Sequence, residues 1–334
     1  MSMGTADDGV PSAASILGPS ISAPEGYRYT GAYLGNLDAN LWVARAPMPA
    51  PAAVQCFAAV AADQIYLTGG FGRESTTAAY NPSTDTWSAR ANMRGGRRDH
   101  ACVELDGRIY VFGGLFGLSA IDSAEVYDPV EDAWTDIAPL PVARAGHAAA
   151  VLDGRIYCIG GFNLAIGLFA TVDVYDPAAD AWTPRAPLPA TRVEGAATVL
   201  DSIIYLAGGT TPLDQQSRDL LAYDAGVDHW SPRRPMARGR ASFAFAAAGD
   251  RLYAIGGREI GGTGFPENEC YDPVTDAWFV RQALPTVRTS AASAVVNNRI
   301  FLAGGAGGQA NGGVAFQNTD MYIPYTLFYV YTKE

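Results

Sequence analysis

The fold is decided by a stretch that reads RAGHAAAVLDGRIYCIGGFNLAIGLFATVDVYDPAADAWTPRAPLP, residues 144–189. It contains four short runs of alternating or β-branched residues, separated by turn signals. Asp153-Gly154 is a dipeptide that favours a two-residue hairpin turn, and the proline of Asp176-Pro177 presets the geometry of another turn. No helical period of apolar residues interrupts these runs. The stretch therefore predicts four short antiparallel strands.

The same pattern recurs along the chain. Gly-Gly pairs are spaced by 44 to 48 residues and begin at Gly69, Gly113, Gly160, Gly208, Gly256 and Gly304. The tryptophans keep the same period, at Trp42, Trp87, Trp134, Trp182, Trp230 and Trp278. A four-stranded sheet with two apolar faces buries both of them when copies are arranged around an axis, which predicts a β-propeller. We expect the paired glycines where another chain segment leaves no room for a Cβ.

Gly-Gly followed by Tyr-Asp-Pro, with a tryptophan seven residues after the tyrosine, resembles the kelch repeat. The pattern recurs as Tyr80/Trp87, Tyr127/Trp134, Tyr175/Trp182, Tyr223/Trp230 and Tyr271/Trp278. The resemblance covers roughly residues 37–323. It implies an all-β, six-bladed kelch-type β-propeller with four antiparallel strands per blade. Kelch domains serve many purposes, so the resemblance defines the fold more closely than the function.

The boundaries follow from the period. Residues 1–36 are expected to form a flexible leader and residues 37–334 a single propeller. The blades fall at about 51–90, 95–137, 142–185, 190–233, 238–281 and 286–323, the last completed by 37–45, with a C-terminal strand in 324–334. Either Trp42 or Tyr329 could mark the fourth strand of the closing blade. We favour Trp42, because WVARAPMP at 42–49 repeats WTPRAPLP at 182–189.

Composition restricts the partners. The net charge of −11 argues against binding nucleic-acid phosphate over a broad face. No apolar run approaches the roughly 18 residues that a membrane helix needs. The N-terminus lacks the apolar core of an export signal, and the four cysteines are far apart in the sequence. We therefore expect a cytoplasmic protein that binds neither nucleic acid nor membrane.

One register of arginines lies sixteen residues before the Gly-Gly pairs. Its members are Arg97, Arg144, Arg192, Arg240 and Arg288, with Ala53 in the first blade. They could form a cationic ring that focuses an anionic ligand at the channel mouth. The alternative is a structural role, in which each arginine holds neighbouring loops through carbonyl or carboxylate groups.

A second register varies from blade to blade and is therefore not explained by the scaffold. It contains Gln55, Asp99, Gly146, Glu194, Ser242 and Ser290. Gln55, Ser242 and Ser290 are candidate ligand-binding residues. Asp99, beside Arg97 and Arg98, and Glu194, beside Arg192, are candidates for an acid or base if the protein is an enzyme. Alternatively, each carboxylate only neutralises its arginine.

The next register carries Cys56, His100 and His147 in successive blades. Equivalent positions in adjacent blades are too far apart for a single ion with ligands at about 2.0–2.3 Å. We therefore expect no metal and no cofactor.

Two apolar loops on adjacent blades, at Leu118 and at Phe162, are further candidates for ligand binding. Exposed, they would mark a partner or an apolar ligand. Alternatively, they fold over the channel and pack together.

The sequence leaves three functional hypotheses. The first is a module that binds a protein, a peptide or a small ligand, anionic or apolar. Its binding surface would be the channel mouth and the upper face, which carries the loops between second and third strands and the linkers into the first strands. The alternative is a metal-independent enzyme acting on a small molecule, such as a sugar epimerase or mutarotase, a lyase or a cyclase. Resemblance to six-bladed kelch sialic-acid epimerases implies a pocket with an arginine and an acidic residue, for which Arg192 and Glu194 are the candidates. A structural assembly role through an acidic rim is the third.

Overall fold

The computed structural model describes residues 40–212, 216–259, 262, 264–307 and 315–324, together with the backbone of two terminal strands, 27–34 and 327–333. All the secondary-structure elements among these residues are β-strands. The described residues contain no helix long and apolar enough to cross a membrane. The chain forms two compact units, Asn40–Pro324 and a smaller one made of Met1–Ala39 with Tyr325–Glu334.

The larger unit consists of six four-stranded antiparallel sheets, the blades, as the sequence predicts. In chain order, β1 is Tyr27–Leu34 and β2 is Leu41–Arg45. Blade one contains β3 (Phe57–Ala61), β4 (Gln64–Thr68), β5 (Thr77–Asn81) and β6 (Thr86–Arg90). Blade two contains β7 (Ala101–Leu105), β8 (Arg108–Phe112), β11 (Ala124–Asp128) and β12 (Ala133–Ile137), with the hairpin β9 (Leu115–Phe116) and β10 (Ser119–Ala120) inserted. Blade three contains β13 (Ala148–Leu152), β14 (Arg155–Ile159), β17 (Val172–Asp176) and β18 (Ala181–Arg185), with the hairpin β15 (Phe162–Asn163) and β16 (Gly167–Leu168) inserted.

The remaining blades follow the same order. Blade four contains β19 (Ala196–Leu200), β20 (Ile203–Ala207), β21 (Leu220–Asp224) and β22 (His229–Arg233). Blade five contains β23 (Ala244–Ala248), β24 (Arg251–Ile255), β25 (Asn268–Asp272) and β26 (Ala277–Arg281). Blade six contains β27 (Ala292–Val296), β28 (Arg299–Ala303) and β29 (Thr319–Ile323), completed by β2.

The ring closes through β2, which pairs with β29 over Leu41↔Ile323 to Arg45↔Thr319. Trp42 lies opposite Tyr322, as Trp182 lies opposite Tyr175 within blade three. The prediction that Trp42 marks the closing strand is confirmed. The rival C-terminal segment lies in β30 (Leu327–Lys333) and does not supply that strand.

The smaller unit contains an antiparallel pair of β1 and β30, whose register shifts between Tyr29 and Gly31. The expected flexible leader, residues 1–36, thus includes a strand at Tyr27–Leu34. The rest of that leader lies outside the described residues. The predicted C-terminal strand in 324–334 corresponds to β30.

A tyrosine, an aspartate and a tryptophan clamp each blade to the one before it. In blade three, Asp180 Oδ1 accepts a hydrogen bond from the Tyr175 hydroxyl at 2.7 Å and one from the Ala138 backbone N–H at 2.8 Å. Trp182 Nε1 donates to the Ala138 carbonyl at 3.0 Å. Asp180 has φ = 46°, the left-handed region that aspartate tolerates better than most residues.

We call these three residues the perimeter clamp, and each blade repeats it. Its members are Tyr80/Asp85/Trp87, Tyr127/Asp132/Trp134, Tyr175/Asp180/Trp182, Tyr223/Asp228/Trp230, Tyr271/Asp276/Trp278 and Tyr322/Asn40/Trp42. Each tyrosine ring packs against its tryptophan with centroids 4.9–5.1 Å apart. The contacts explain the seven-residue spacing read in the sequence.

The Gly-Gly pairs end the second strands where two chain segments converge. A Cβ on Gly161 would lie 2.8 Å from the Ala145 carbonyl oxygen and 2.9 Å from His147 Cβ, and one on Gly160 would overlap the Arg192 carbonyl of the next blade. Both glycines have positive φ. The predicted close approach at these pairs is confirmed.

Candidate functional site: the channel mouth

A cavity of about 470 Å³ is lined by the first strands of all six blades, around the axis of the propeller. Its walls carry small apolar side chains, including Ala58, Ala149, Ala197, Val199 and Ala247. Because these side chains are short, the strands leave open a space of the size that small-molecule pockets usually have.

The mouth of the cavity is formed by the six residues that lie two positions before these first strands. We call them the mouth ring: Gln55, Asp99, Gly146, Glu194, Ser242 and Ser290. Each donates its backbone N–H to the carbonyl of the equivalent residue in the preceding blade, at 2.8–3.3 Å, and Gln55 closes the circle onto Ser290. All six have φ between 50° and 59°. The ring of hydrogen bonds holds a backbone conformation that costs most residues about 1–2 kcal/mol.

The side chains of the mouth ring form two polar groups. Glu194 Oε2 accepts hydrogen bonds from Ser242 Oγ at 2.7 Å and from Arg258 Nη2 at 2.5 Å. On the other side of Gly146, Gln55 Nε2 donates to Asp99 Oδ2 at 2.8 Å. Gly146 lies between the two groups in the ring, and Val193 Cγ2 and the Phe162 ring lie 2.9 and 3.1 Å from where its Cβ would be. The register predicted from the sequence thus gathers at one cavity.

Asp99 has a shifted pKa. Burial, followed by the charge of Glu194, raises the pKa of Asp99 to about 7, although Arg98, Gln55 and Arg258 partly oppose the change. Asp99 therefore exchanges a proton near neutral pH, beside a Glu194 that is ion-paired with Arg258. This places a proton donor or acceptor at the polar end of an apolar channel.

The register of five arginines lies elsewhere. In blade three, Arg144 donates to the Gly160 carbonyl and pairs with Asp173, with Nη2 and Oδ2 2.7 Å apart. The guanidinium groups of all five are buried. Their carboxylate partners are Glu125 for Arg97, Asp173 for Arg144, Asp219 for Arg192, Glu269 for Arg240 and Asp320 for Arg288.

The arginines thus bind carbonyl and carboxylate groups of neighbouring segments, which is the structural role that the sequence offered as the alternative to a cationic ring. None of the five arginines lines the cavity that the described residues enclose. The expected pairings of Arg97 with Asp99 and of Arg192 with Glu194 are replaced by Arg97 with Glu125 and Arg192 with Asp219. In blade one, Ala53 replaces the arginine and Ala78 replaces the carboxylate that is Asp173 in blade three. The arginine and its acidic partner are therefore absent as a pair.

Arg258 is the functional residue that the sequence reasoning missed. It follows Gly256-Gly257 directly, and it exchanges backbone hydrogen bonds with Ala241 beside the mouth ring. The residue after each Gly-Gly pair has this place, and we call the set the loop-base positions: Phe71, Leu115, Phe162, Thr210, Arg258 and Ala306. Aligning the residues after the six Gly-Gly pairs would have revealed it.

Cys56, His100 and His147 pack behind the mouth, where their side chains meet the second glycines of the pairs. All three are buried. Burial lowers the pKa of His147 to about 3, reinforced by the charge of Arg144, and burial raises the pKa of Cys56 to about 11. Among the described residues no group of three metal-ligating side chains comes together. This register packs between the mouth and the blade interiors, and Cys56 and His147 also form part of the cavity lining.

The two apolar loops beside the mouth have exposed tips. Leu118 lies at the tip of the β9–β10 hairpin with 78% of its surface exposed. Phe162 lies at the base of the β15–β16 hairpin, with its ring beside Gly146 of the mouth ring. The tips of both loops are thus exposed, while Phe162 at the base of its loop packs against the mouth ring.

Blades joined by perimeter clamps around a channel with a polar mouth define a six-bladed kelch-type β-propeller. The sequence profile of the family described as "Attractin/LZTR1 beta-propeller" matches residues 65–315, about three quarters of the chain, and this protein belongs to that family. Among solved structures, the one described as "Structure of YjhT" is similar with a TM-score of 0.75 at 18% identity, covering 84% of this chain and 99% of that one. At this identity the likeness concerns the fold alone. No curated protein matches the sequence significantly.

Proposed function

We propose that this protein is a binding module whose ligand places a cationic, hydrogen-bond-donating group in the mouth ring, between Asp99 and Glu194. The observation that carries the proposal is the presence of these two carboxylates in the lining of one cavity, on either side of Gly146. The raised pKa of Asp99 supports it, because burial and the charge of Glu194 disfavour the ionised carboxylate. A ligand cation beside Asp99 would stabilise its ionised form.

The positions of the arginines favour a cation over the anion considered from the sequence. The five repeated arginines are paired with carboxylates inside the blades. Arg258 is bound to Glu194, and the guanidinium of Arg98 lies over the Phe71 ring, 5.6 Å from its centroid. The alanine and valine walls below the mouth suit a short apolar chain attached to the cationic group.

A matched set of probes tests the charge of the ligand. Butylamine, butanol and butyrate are similar in size and differ in charge, so each is titrated into isotope-labelled protein and followed by NMR. We expect butylamine to shift the resonances of channel residues such as Ala197 and Val199 and to bind at least ten-fold more tightly than the other two, which corresponds to about 1.4 kcal/mol. Butyrate binding as tightly as butylamine, or amine shifts confined to other surfaces, would contradict the proposal.

A second candidate is a metal-independent enzyme that uses acid–base chemistry on a small molecule, as in a sugar epimerase or mutarotase, a lyase or a cyclase. The observation that favours it is that Asp99 titrates near neutrality beside an ion-paired Glu194, because environments that separate the roles of two carboxyls suit an acid and a base. The test is the interconversion of sugar anomers, followed by polarimetry over a panel of aldoses at pH 7. Acceleration that Asp99→Asn abolishes supports this candidate; no acceleration, or the same acceleration in Asp99→Asn, rejects it.

We also propose a reducing compartment such as the cytoplasm. The support is that the four cysteines, Cys56, Cys102, Cys158 and Cys270, are all unpaired in the part of the chain that the structure describes. The net charge of −11 further favours partners other than nucleic acid.

A further inference from the structure

Two hairpins of neighbouring blades expose apolar side chains above the channel mouth. Phe116 and Leu118 in the β9–β10 hairpin are 64% and 78% exposed, and Leu164 and Ile166 in the β15–β16 hairpin are 72% and 65% exposed. We call these four residues the apolar ridge. Strands β10 and β15 contact each other, so the two hairpins are neighbours. Adjoining exposed apolar side chains of this size are typical of a partner-binding surface.

The hairpins that carry the apolar ridge are joined to the mouth ring through their first residues, Leu115 and Phe162. Leu115 and Arg98 exchange backbone hydrogen bonds at 2.7 and 3.1 Å, and Arg98 directly precedes Asp99. In the next blade, Phe162 and Ala145 exchange them at 2.8 and 2.9 Å, and Ala145 directly precedes Gly146. The ridge is therefore continuous with the side of the mouth that carries Asp99.

The opposite side of the mouth differs in chemistry. The loop-base positions of blades one to three are Phe71, Leu115 and Phe162, all apolar. In blades four and five they are Thr210 and Arg258, and Arg258 pairs with Glu194. The entrance is thus apolar at the loop-base positions of blades one to three, where Asp99 lies, and carries the Glu194–Arg258 ion pair at blades four and five, with Ala306 in blade six.

We propose that the ligand is a peptide segment of a partner protein, with a lysine or arginine side chain that enters the mouth ring and apolar neighbours that cover the ridge. This rests on the proposed function, since the basic side chain is the cation that Asp99 and Glu194 take up. The net charge of −11 favours a basic segment over an acidic one, and the ridge accounts for its apolar residues. A free small amine held in the channel would leave the hairpin tips uncovered.

An anionic lipid surface is a poorer occupant of the ridge. Such surfaces attract basic segments, and this chain carries a net charge of −11. The ridge is also flanked by Asp99 and Glu194 at the mouth. The same charges favour a basic peptide.

The test uses a phage-displayed library of random dodecapeptides, selected on the full chain. We expect enriched peptides in which a lysine or arginine lies next to apolar residues. The double variant Leu118→Asp/Ile166→Asp should weaken the best of these peptides at least ten-fold while leaving butylamine binding unchanged. Glu194→Gln should weaken both the peptide and butylamine. The matched control is Val130→Asp/Val274→Asp, which adds the same charge at exposed valines in the turns between third and fourth strands and should change neither.

Several outcomes overturn the proposal. These are no enrichment, enrichment of acidic peptides, or equal binding of the best peptide by the ridge variant. Self-association of the wild type that the ridge substitutions abolish would assign the ridge to a second copy of the chain instead. If butylamine binds and the ridge substitutions do not matter, the peptide proposal fails alone; if butylamine does not bind, the proposed function fails with it.

Discussion

The perimeter clamp and the mouth ring both recur at a fixed position in each of the six blades. In both, the recurring residue has a left-handed backbone conformation: the aspartate or asparagine of the clamp, and each member of the ring. The clamp repeats its side chains, with aspartate in five blades and Asn40 in the sixth, because the side-chain oxygen itself bonds to the preceding blade. In the mouth ring only the backbone makes the repeated hydrogen bond, so the side chains vary freely. Repeated side chains in this propeller therefore mark what the fold requires, and unrepeated ones at a repeated backbone position mark where a ligand can be selected.

The largest expected effect is at a repeated, buried ion pair. Arg144→Met leaves Asp173 buried without its cation, which should lower the free energy of unfolding by about 3–5 kcal/mol. Guanidinium denaturation measures the loss. Arg192→Met is the matched control, because its partner Asp219 is half-exposed and remains solvated. It should lose less than half as much.

The double variant Arg144→Met/Asp173→Leu sharpens this test. It should recover most of the loss, because blade one already has alanines, Ala53 and Ala78, at these two positions. Equal losses for Arg144→Met and Arg192→Met, or no recovery in the double variant, would show that burial of the carboxylate does not set the cost.

A smaller effect is expected at the clamp. Asp180→Ala removes the acceptor of two hydrogen bonds and places alanine at φ = 46°, so we expect a loss of about 2–3 kcal/mol of unfolding free energy. Asp180→Asn should lose under about 1 kcal/mol, since Asn40 performs the same role in the closing blade. Denaturation of the two variants side by side checks this. An asparagine as costly as the alanine would contradict the clamp as described.

The two regions should also respond oppositely to pH. The raised pKa of Asp99, about 7, means that the folded protein keeps a proton that the unfolded chain releases near pH 4. The free energy of unfolding should therefore fall as pH rises from about 4 to about 7, and this part of the fall should be absent in Asp99→Asn. Thermal unfolding of both proteins at a series of pH values measures the difference.

At the clamp the sign is reversed. Hydrogen bonds from the Ala138 N–H and the Tyr175 hydroxyl lower the pKa of Asp180. The contribution of Asp180 to the free energy of unfolding is present above the usual aspartate range and is lost as pH falls through the lowered pKa.

For Asp99, the contradicting result would be a stability profile of Asp99→Asn that parallels the wild type from pH 4 to 8.

The smallest effect is expected at the apolar ridge. Leu118→Asp changes an exposed tip residue that supports no other part of the blade, so its unfolding free energy should stay within about 0.5 kcal/mol of the wild type. Chemical denaturation again provides the measurement. A larger loss would mean that the tip stabilises the fold, and the ridge would no longer stand apart from the scaffold.

Much of the fold can be predicted from the sequence because its physical requirements recur. Each blade needs a residue without a Cβ at the position of Gly161 and a ring contact like that of Tyr175 with Trp182. The same residue types therefore recur at one period. The closing strand is readable for the same reason, since Trp42 must contact Tyr322 as its counterparts contact theirs.

The site is less readable because its contacts do not follow the period. Arg97 and Asp99 are two residues apart, yet the arginine runs into the blade to Glu125 while Asp99, with φ = 50°, faces the channel. Arg258 holds a loop-base position that recurs in every blade, but its side chain is not repeated there, so the period alone does not pair it with Glu194. Sequence proximity therefore pointed to Arg97 and Arg192, which pair inside the blades, while Arg98 does act on Asp99.

Butylamine titration of the wild type, Glu194→Gln and Asp180→Asn, followed by NMR, compares mouth and clamp most directly. The account predicts that Asp180→Asn binds the amine as the wild type does, because its change lies at the perimeter. Glu194→Gln should bind at least ten-fold more weakly, because it removes a charge at the mouth. Equal binding by Glu194→Gln and the wild type would contradict the central claim that the mouth ring is the binding site.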